Sequence, residues 1–255
     1  MDRVRPPLAT PDASLHDRPP LTPAGVLLRF RCTVPILAAL FGLLAAAATI
    51  DRGSLLLAWD EPVTEALQGL HTPWLDQVVR TVSNLGGLSV VLVVLVLLVL
   101  VVWHECRSLA LVLLAASAAR PLVEWTLKTA IDRPRPDLAQ LVPGNGPSFP
   151  TGHVMAAVAI WGLVPPVMAL VSRRRSVWWW SVGISATVIA LVGFSRVYLG
   201  VHWLSDVVGA LVLGALYLLG VEWLFNWHHR HTACRGSEPE RAPPKDRGQP
   251  VSTGP

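Results

Sequence analysis

Six apolar stretches of 16 to 20 residues constrain the fold of this chain more than any other feature of its sequence. They span residues 34–50, 87–103, 108–127, 154–172, 178–193 and 207–225. About 20 apolar residues suffice to cross a bilayer as a helix, and in lipid a helix satisfies its own backbone hydrogen bonds. Only 15% of the residues are charged. The sequence therefore predicts an all-α fold, a bundle of six transmembrane helices.

Polar segments flank and interrupt this membrane domain, which we place at residues 25–227. Residues 1–24 and 228–255 are rich in proline and arginine and are expected to be disordered. Residues 51–86 carry apolar side chains at helical spacing, which predicts one or two amphipathic helices at the membrane surface. These helices either cap the bundle or take part in substrate access. Pro165 and Pro166 interrupt the fourth stretch and are expected to kink it.

The basic residues predict how the bundle is oriented. Of 21 lysines and arginines, 14 lie before the first stretch, after the second, after the fourth or in the tail, and six lie on the other side. The positive-inside rule then places both termini in the cytoplasm of a plasma-membrane protein. This distribution accounts for the net charge of +4 without a nucleic-acid partner. Cys32, Cys106 and Cys234 fall at or near the cytoplasmic side, where thiols are expected to stay reduced.

Three polar clusters lie at the opposite, extracytoplasmic ends of the apolar stretches. The last cluster contains His202 and Asp206, whose four-residue spacing places them on one face of a helix. A carboxylate on one ring nitrogen fixes the tautomer and leaves the other nitrogen free to attack. The pair is therefore a candidate nucleophile. A helix end with polar residues facing water would explain the same spacing.

The middle cluster places His153 at the start of the fourth stretch, directly after Thr151 and Gly152. A helix N-terminus offers free amide hydrogens to an anion, and glycine permits close approach of the backbone. His153 is then a candidate proton donor to a leaving oxygen. The alternative is an ordinary helix start capped by Thr151.

Cations accompany both histidines. Lys128, Arg135 and Arg196 suit phosphate oxygens, because arginine binds them in a bidentate way and lysine adds a point charge. Taken singly, each would be read as a cation that snorkels to the membrane interface. Three cations beside two histidines instead indicate phosphoryl transfer.

One further group of charges lies within the third stretch. Arg120, Glu124 and Lys128 are spaced four residues apart and therefore share a helix face. Charges inside a span are expected to face the bundle and to pair. We expect Glu124 to pair with Arg120 and to help aim Lys128.

The three clusters resemble the signature of the type 2 phosphatidic acid phosphatase superfamily. That signature is Lys, six residues, Arg-Pro; then Pro-Ser-Gly-His; then Ser-Arg, five residues, His, three residues, Asp. The first and third motifs match at Lys128 to Arg135 and at Ser195 to Asp206. The second departs from it, because Thr151 replaces the usual serine. The resemblance covers about residues 85–225.

The resemblance implies a hydrolase that needs no metal or other cofactor and acts on a lipid phosphate in the bilayer. It implies that His202 forms a phosphohistidine, that Asp206 orients it, and that His153 protonates the leaving group. It assigns the phosphate oxygens to Lys128, Arg135 and Arg196, assisted by Thr151 and Gly152. We expect a contact or capping role for Ser195.

Two other functions are compatible with some of these residues. His153, His202 and Asp206 could form an iron site with two histidines and one carboxylate, but the nearby cations would repel a divalent metal. A membrane protein that binds or transports phospholipid without turnover is the other alternative. Phosphatidic acid, phosphatidylglycerol phosphate and polyprenyl diphosphate all suit a site at headgroup level, and polyprenyl diphosphate is the expectation. The motifs do not identify the lipid tail or the oligomeric state.

Overall fold

The computed structural model describes residues 23–50, 57–104, 106–172 and 174–229, and all regular secondary structure within these ranges is helical. Nine α-helices follow one another within these ranges. They are α1 (Pro23–Ile50), α2 (Asp60–Gln68), α3 (Pro73–Ser83), α4 (Leu88–Trp103), α5 (Arg107–Ile131), α6 (Gly152–Trp161), α7 (Val164–Val171), α8 (Arg175–Tyr198) and α9 (Leu204–His229). A short 3₁₀ turn, Asn84–Gly86, joins α3 to α4.

The helices confirm the predicted membrane bundle. Among the described residues, five stretches are long and apolar enough to cross a bilayer: Arg31–Ile50, Arg107–Ile131, Gly152–Val171, Arg175–Tyr198 and Leu204–Phe225. The sixth predicted span corresponds to α4, whose 16 residues follow the α3 segment at a bend of 43°. At 1.5 Å per residue, α4 is about 24 Å long, so its length alone is short for a complete span.

The boundaries of several spans differ from the sequence prediction. Helix α5 continues to Ile131 and α8 to Tyr198. Each of these helices therefore contains a cation of the sequence motif at its end. The predicted kink at Pro165 and Pro166 is a break just before them, at Gly162–Leu163. The prolines then occupy the first turn of α7, where their missing amide hydrogen leaves no helical bond unmade.

The amphipathic helices predicted in the 51–86 connection are α2 and α3. They lie over the end of the bundle where α8 ends, and Val79 of α3 packs against Tyr198, Leu199 and Val201. Trp59 and Trp74 are half to two-thirds exposed beside these helices. Gly200 turns the chain here with a positive φ of 71°, and a Cβ on it would lie 2.6 Å from the Ala139 carbonyl oxygen. Only glycine fits this turn without strain.

Helix α6 forms the centre of the bundle. Every residue from Val154 to Ile160 is buried, whereas a helix at the lipid boundary would expose one face. Its neighbours are α4, α5, α8 and α9. Two apolar clusters meet on α6, one built largely from α4, α5 and α7 and one from α8 and α9. The residue that precedes this buried run is His153.

One expectation about the cysteines is wrong. Cys32 is a free thiol, but Cys106 is disulfide-bonded. Its backbone lies at the buried start of α5, and its partner lies outside the described residues. The cysteines therefore do not support the predicted orientation. Of the residues expected to be disordered, 23–24 lie in α1 and 228–229 lie in α9, so the prediction is wrong for these four. Residues 1–22 and 230–255 lie outside the described residues.

Candidate active site

The three polar clusters meet at one end of the bundle, around a cavity of about 310 Å³. Helix α5 ends there, α6 and α9 begin there, and α8 ends there. Most of the predicted catalytic side chains line this cavity: Lys128, Arg135, Gly152, His153, Arg196 and His202, together with Arg120 and Glu124. Residues about 75 positions apart in sequence are thus brought to one small space.

His202 and Asp206 are in contact, as their spacing predicted. Nδ1 of His202 lies 3.3 Å from Oδ2 of Asp206. Helix α9 begins at Leu204, so the histidine precedes the helix and the carboxylate lies in its first turn. Oδ2 also accepts the backbone N–H of Trp203 at 3.0 Å. The carboxylate therefore fixes the Nδ1–H tautomer, so Nε2 carries the electron pair of the ring and has Arg135 as its neighbour at the cavity.

The surroundings of His202 favour its neutral form. Burial, with a smaller contribution from the Arg196 and Arg135 charges, lowers the pKa of this imidazole from its ordinary 6.5 to about 4, although the interaction with Asp206 opposes the shift. A neutral imidazole at physiological pH is the form that can act as a nucleophile.

Arg135 is held beside Nε2 of His202 and can donate a hydrogen bond to it. Its Nη1 lies 3.2 Å from Nε2 and donates to the carbonyl of Val201 at 2.7 Å. Its Nε donates to Gly146 and its Nη2 to Asn145, both in the loop between α5 and α6. Burial lowers the pKa of Arg135, and the Asp206 charge opposes this shift. The guanidinium is fixed where a phosphate on Nε2 would place its oxygens.

Arg196 projects from the end of α8 and is 7% exposed. Its Nη1 donates to the Ser83 hydroxyl at 2.8 Å, and its buried Nε has no hydrogen-bond partner among the described residues. A buried donor without a partner is costly to a folded protein, so this N–H is suited to a bound anion.

Ser195 does not have the contact role expected of it. Its hydroxyl donates to the Val192 carbonyl at 2.7 Å, within its own helix, and the residue does not line the cavity. One turn of α8 separates the two partners, so the side chain is occupied locally.

Thr151 precedes α6 and is fully buried. Its side chain makes no capping bond, and its hydroxyl has no hydrogen-bond partner in the described parts of the chain. The alternative interpretation as an ordinary threonine cap is therefore wrong. His153 follows in the first turn of α6, where amide hydrogens have no partner within the helix.

The predicted pairing on α5 is present. Arg120 Nη1 lies 2.9 Å from Oε2 of Glu124, and Lys128 Nζ lies 3.3 Å from Oε1. The carboxylate also packs against Gly152, where a Cβ would overlap it. We call Arg120, Glu124 and Lys128 the α5 stripe. The Glu124 carboxylate therefore lies against the N-terminus of α6, which the sequence predicts to bind phosphate.

Three residues of the site were missed by sequence reasoning: Asp60, Arg133 and Ser205. Arg133 Nη1 donates to Asp206 Oδ1 at 2.6 Å, and its Nη2 donates to Asp60 Oδ2 at 2.8 Å. The backbone N–H of Ser205 donates to Asp60 Oδ1 at 2.8 Å. We call Asp60, Arg133, Ser205 and Asp206 the buried cluster. Arg133 and Ser205 lie inside the first and third motifs, and the signal for Asp60 was an acidic residue in the predicted amphipathic segment.

The geometry of the described residues gives no support to the iron-site alternative. Within the described ranges, no three His, Cys, Asp or Glu side chains are grouped so that they could hold a metal ion. Asp206 is instead engaged by Arg133 and by the Trp203 amide.

Comparison with known proteins gives concordant matches. A family model described as the PAP2 superfamily matches residues 106–232. Phosphatidylglycerophosphatase B of Bacillus subtilis strain 168 is 34% identical over 188 residues, which covers 71% of this chain and 90% of that protein. An undecaprenyl-diphosphatase of Sulfolobus acidocaldarius is 41% identical over 68 residues, 27% of this chain and 29% of that protein.

Two crystal structures are similar to this fold. The transmembrane PAP2 type phosphatidylglycerolphosphate phosphatase from Bacillus subtilis superimposes with a TM-score of 0.67 at 28% identity, over 79% of this chain and 98% of that one. LpxE of Aquifex aeolicus superimposes with a TM-score of 0.52 at 22% identity, over 68% of this chain and 99% of that one. The second likeness concerns the fold alone.

Proposed function

Because this chain belongs to the PAP2 superfamily, a family of membrane lipid phosphatases, we propose that it is an integral membrane hydrolase that removes phosphate from a lipid phosphate ester or phosphoanhydride. One observation carries the proposal. A single cavity holds an oriented histidine, a second histidine at a helix N-terminus and three cations, Lys128, Arg135 and Arg196.

His202 is the nucleophile in this proposal. The Nε2 electron pair attacks phosphorus, and the bond from phosphorus to the leaving oxygen breaks with its electron pair. His153, as the imidazolium, gives its proton to that oxygen. The positive charge that develops on His202 is balanced by Asp206, 3.3 Å from Nδ1.

The phosphohistidine is then hydrolysed. Water attacks phosphorus while His153 accepts a proton from it, the N–P bond breaks, and the electron pair returns to Nε2. Lys128, Arg135 and Arg196 neutralise charge on the oxygens in both steps. The Thr151 hydroxyl and the Gly152 amide contribute further donors, and the reaction uses no metal.

The relatives guide the choice of substrate. The sequence led us to expect polyprenyl diphosphate, and a relative named as an undecaprenyl-diphosphatase matches over 68 residues. The relative named phosphatidylglycerophosphatase matches over 188 residues. We therefore place phosphatidylglycerol phosphate first among the candidates, ahead of polyprenyl diphosphate and phosphatidic acid.

The decisive experiment measures phosphate release by the purified protein from these three lipids, with a chelator present. Turnover of at least one lipid, abolished by His202→Ala, is expected. Trapping of acid-labile phosphate on His202 after a rapid quench tests the intermediate. Binding of the lipids without phosphate release would favour a non-catalytic binding or transport protein.

The proposal also includes the orientation of the bundle. The excess of basic residues at the end opposite the cavity supports cytoplasmic termini and an extracytoplasmic active site. A C-terminal fluorescent protein that matures only in the cytoplasm tests this, since the opposite orientation would leave it dark.

A further inference from the structure

The buried cluster contains more charge than orientation of a histidine requires. Asp60, Arg133, Ser205 and Asp206 are 3%, 6%, 1% and 0% exposed. Asp60 lies at the start of α2, outside the spans, and is separated from Arg133 by 73 residues. Burying a charge is expensive unless it is paired, so contacts among these residues must offset a large desolvation penalty.

Asp60 accepts hydrogen bonds from the start of α9, although it lies far from that helix in sequence. Its Oδ1 accepts the Ser205 backbone N–H at 2.8 Å, and its Oδ2 accepts the Ser205 hydroxyl. The first amides of a helix have no partner inside the helix, and a side-chain oxygen nearby in sequence usually serves them. Here the oxygen comes from α2, 145 residues earlier. Asp60 thus fixes the turn of α9 that carries Asp206.

Arg133 links the two carboxylates. Its Nη2 donates to Asp60 at 2.8 Å, and its Nη1 donates to Asp206 Oδ1 at 2.6 Å and to the Ser205 hydroxyl at 2.6 Å. Its guanidinium also lies 5.7 Å from the Trp203 ring centroid. Oδ2 of Asp206 accepts the backbone N–H of Trp203 and faces His202 Nδ1. Both oxygens of the Asp206 carboxylate therefore have partners, and the carboxylate cannot rotate freely.

We propose that Asp60 is a positioning residue, which acts through Arg133 and Asp206 to hold His202 in its attacking orientation. The two carboxylates and one guanidinium carry a net charge of −1 beside an imidazole that becomes positive during phosphoryl transfer. The proposal rests on His202 being the nucleophile. It gives α2 a role in catalysis, beyond that of a cap over the bundle.

The test compares two single-charge changes on α2. Asp60→Asn keeps the shape but removes the ion pair, and Glu61→Gln removes an exposed charge at the next position. We expect Asp60→Asn to lower kcat and the rate of phosphohistidine formation about 10- to 100-fold, since small displacements of catalytic groups have effects of this size. KM should change less than about twofold, and Glu61→Gln should behave as wild type.

A double-mutant cycle tests whether Asp60 acts through Asp206. If it does, Asp60→Asn combined with Asp206→Asn should be no slower than Asp206→Asn alone. Additive losses of kcat would overturn the proposal. So would an Asp60→Asn protein whose thermal midpoint falls while kcat per folded molecule stays at the wild-type value.

A milder variant covers the case in which Asp60→Asn does not fold. Ser205→Ala removes one hydroxyl that bridges Asp60 and Arg133 and leaves both charges in place. A several-fold lower kcat with unchanged KM supports the proposal, and unchanged kcat contradicts it. Failure of the proposed function is distinct, because the wild-type protein would then release no phosphate from any of the lipids, or would release it as fast as His202→Ala does.

Discussion

Two charged groups flank the cavity, and they are built in opposite ways. The α5 stripe comes from a single helix, and its side chains are 11% to 19% exposed toward the cavity. The charged members of the buried cluster come from three places: α2, α9 and the loop that follows α5. Their side chains are 0% to 7% exposed. One group can exchange partners with a ligand, whereas the other is closed to it.

This difference separates two tasks of a phosphatase. In the proposed reaction Lys128 leaves Glu124 and engages the substrate, and the Lys128–Glu124 pair is partly exposed and therefore weak. In the same proposal Asp206 keeps one orientation throughout, and its partners are buried and numerous. Substitutions in the buried cluster should therefore damage the folded protein, and substitutions in the α5 stripe should damage turnover with little effect on folding.

Arg133→Met should have the largest effect. It leaves the Asp60 and Asp206 carboxylates buried without a cation, and breaking such a pair costs about 3–5 kcal/mol. The free energy of unfolding in denaturant and phosphate release should both fall sharply. Arg80→Met, which removes an exposed arginine of α3, is the matched control. An Arg133→Met protein as stable as that control would remove the distinction between the two groups.

Lys128→Met should leave the protein folded but impair turnover. Loss of one preorganised charge at the transferring group lowers kcat/KM about 100- to 1000-fold. Lys128→Arg, which keeps the charge, should retain more activity. Initial rates of phosphate release measure both, and a Lys128→Met enzyme within twofold of wild type would show that the α5 stripe does not bind the phosphate.

The low pKa of His202 should also determine the lowest pH at which its side chain reacts readily with an acylating reagent. Because the pKa of His202 is about 4, acylation of this side chain, followed by mass spectrometry, should fall about tenfold per pH unit only below about pH 4. Asp206→Asn should move the midpoint lower, since Asp206 raises the pKa of His202. A midpoint near 6.5 in the native protein would contradict the burial of this group.

The same pKa predicts the sign of a stability change. The folded-state pKa lies below the ordinary 6.5, so the unfolded chain takes up this proton first as the pH falls. The contribution of His202 to stability is therefore complete above about pH 6.5 and is lost as the pH falls toward 4. The difference in unfolding free energy between wild type and His202→Gln should follow this course.

Gly152→Ala should have a smaller effect, about tenfold on kcat/KM, because the new methyl group displaces only the flexible end of Glu124. The carboxylate then loses its bonds to Arg120 and Lys128. If that is the cause, Gly152→Ala should add nothing to Glu124→Ala in a double-mutant cycle. Independent losses would instead indicate that the alanine blocks the phosphate directly.

Arg120→Gln should have the smallest effect. Glu124 keeps Lys128 as a partner at 3.3 Å, so the cost to stability should be below about 1 kcal/mol. Thermal midpoints of Arg120→Gln and Arg133→Met, measured side by side, compare the two groups directly. Equal midpoints would mean that burial does not distinguish them.

The two groups also show how far sequence reasoning reaches. The α5 stripe was predicted because helical spacing alone brings residues four positions apart together. The contact between His202 and Asp206 was predicted by the same rule, although only Asp206 lies in α9 and His202 precedes the helix. Arg133 and Asp60 share no such local rule, because their approach depends on how α2 folds over the start of α9.

For the fold, too, the features set by local sequence were predicted and those that depend on tertiary contacts were not. The lengths of the apolar stretches predicted the spans, because the thickness of the bilayer determines how long a crossing helix must be. Where each helix stops depends on tertiary contacts, and α5 and α8 therefore extend past their apolar stretches to carry Lys128 and Arg196. The local bond of Ser195 and the unpaired hydroxyl of Thr151 also depend on packing, which a motif does not encode.

The complete burial of α6 has a consequence for how sequences of this kind can diverge. Leu92, Val93 and Val96 of α4 face outward, and one apolar residue can replace another there without disturbing a neighbour. Each residue from Val154 to Ile160 is instead surrounded by protein, so a change of volume needs a compensating change on another helix. Divergence along α6 should proceed by paired substitutions, while α4 drifts one residue at a time.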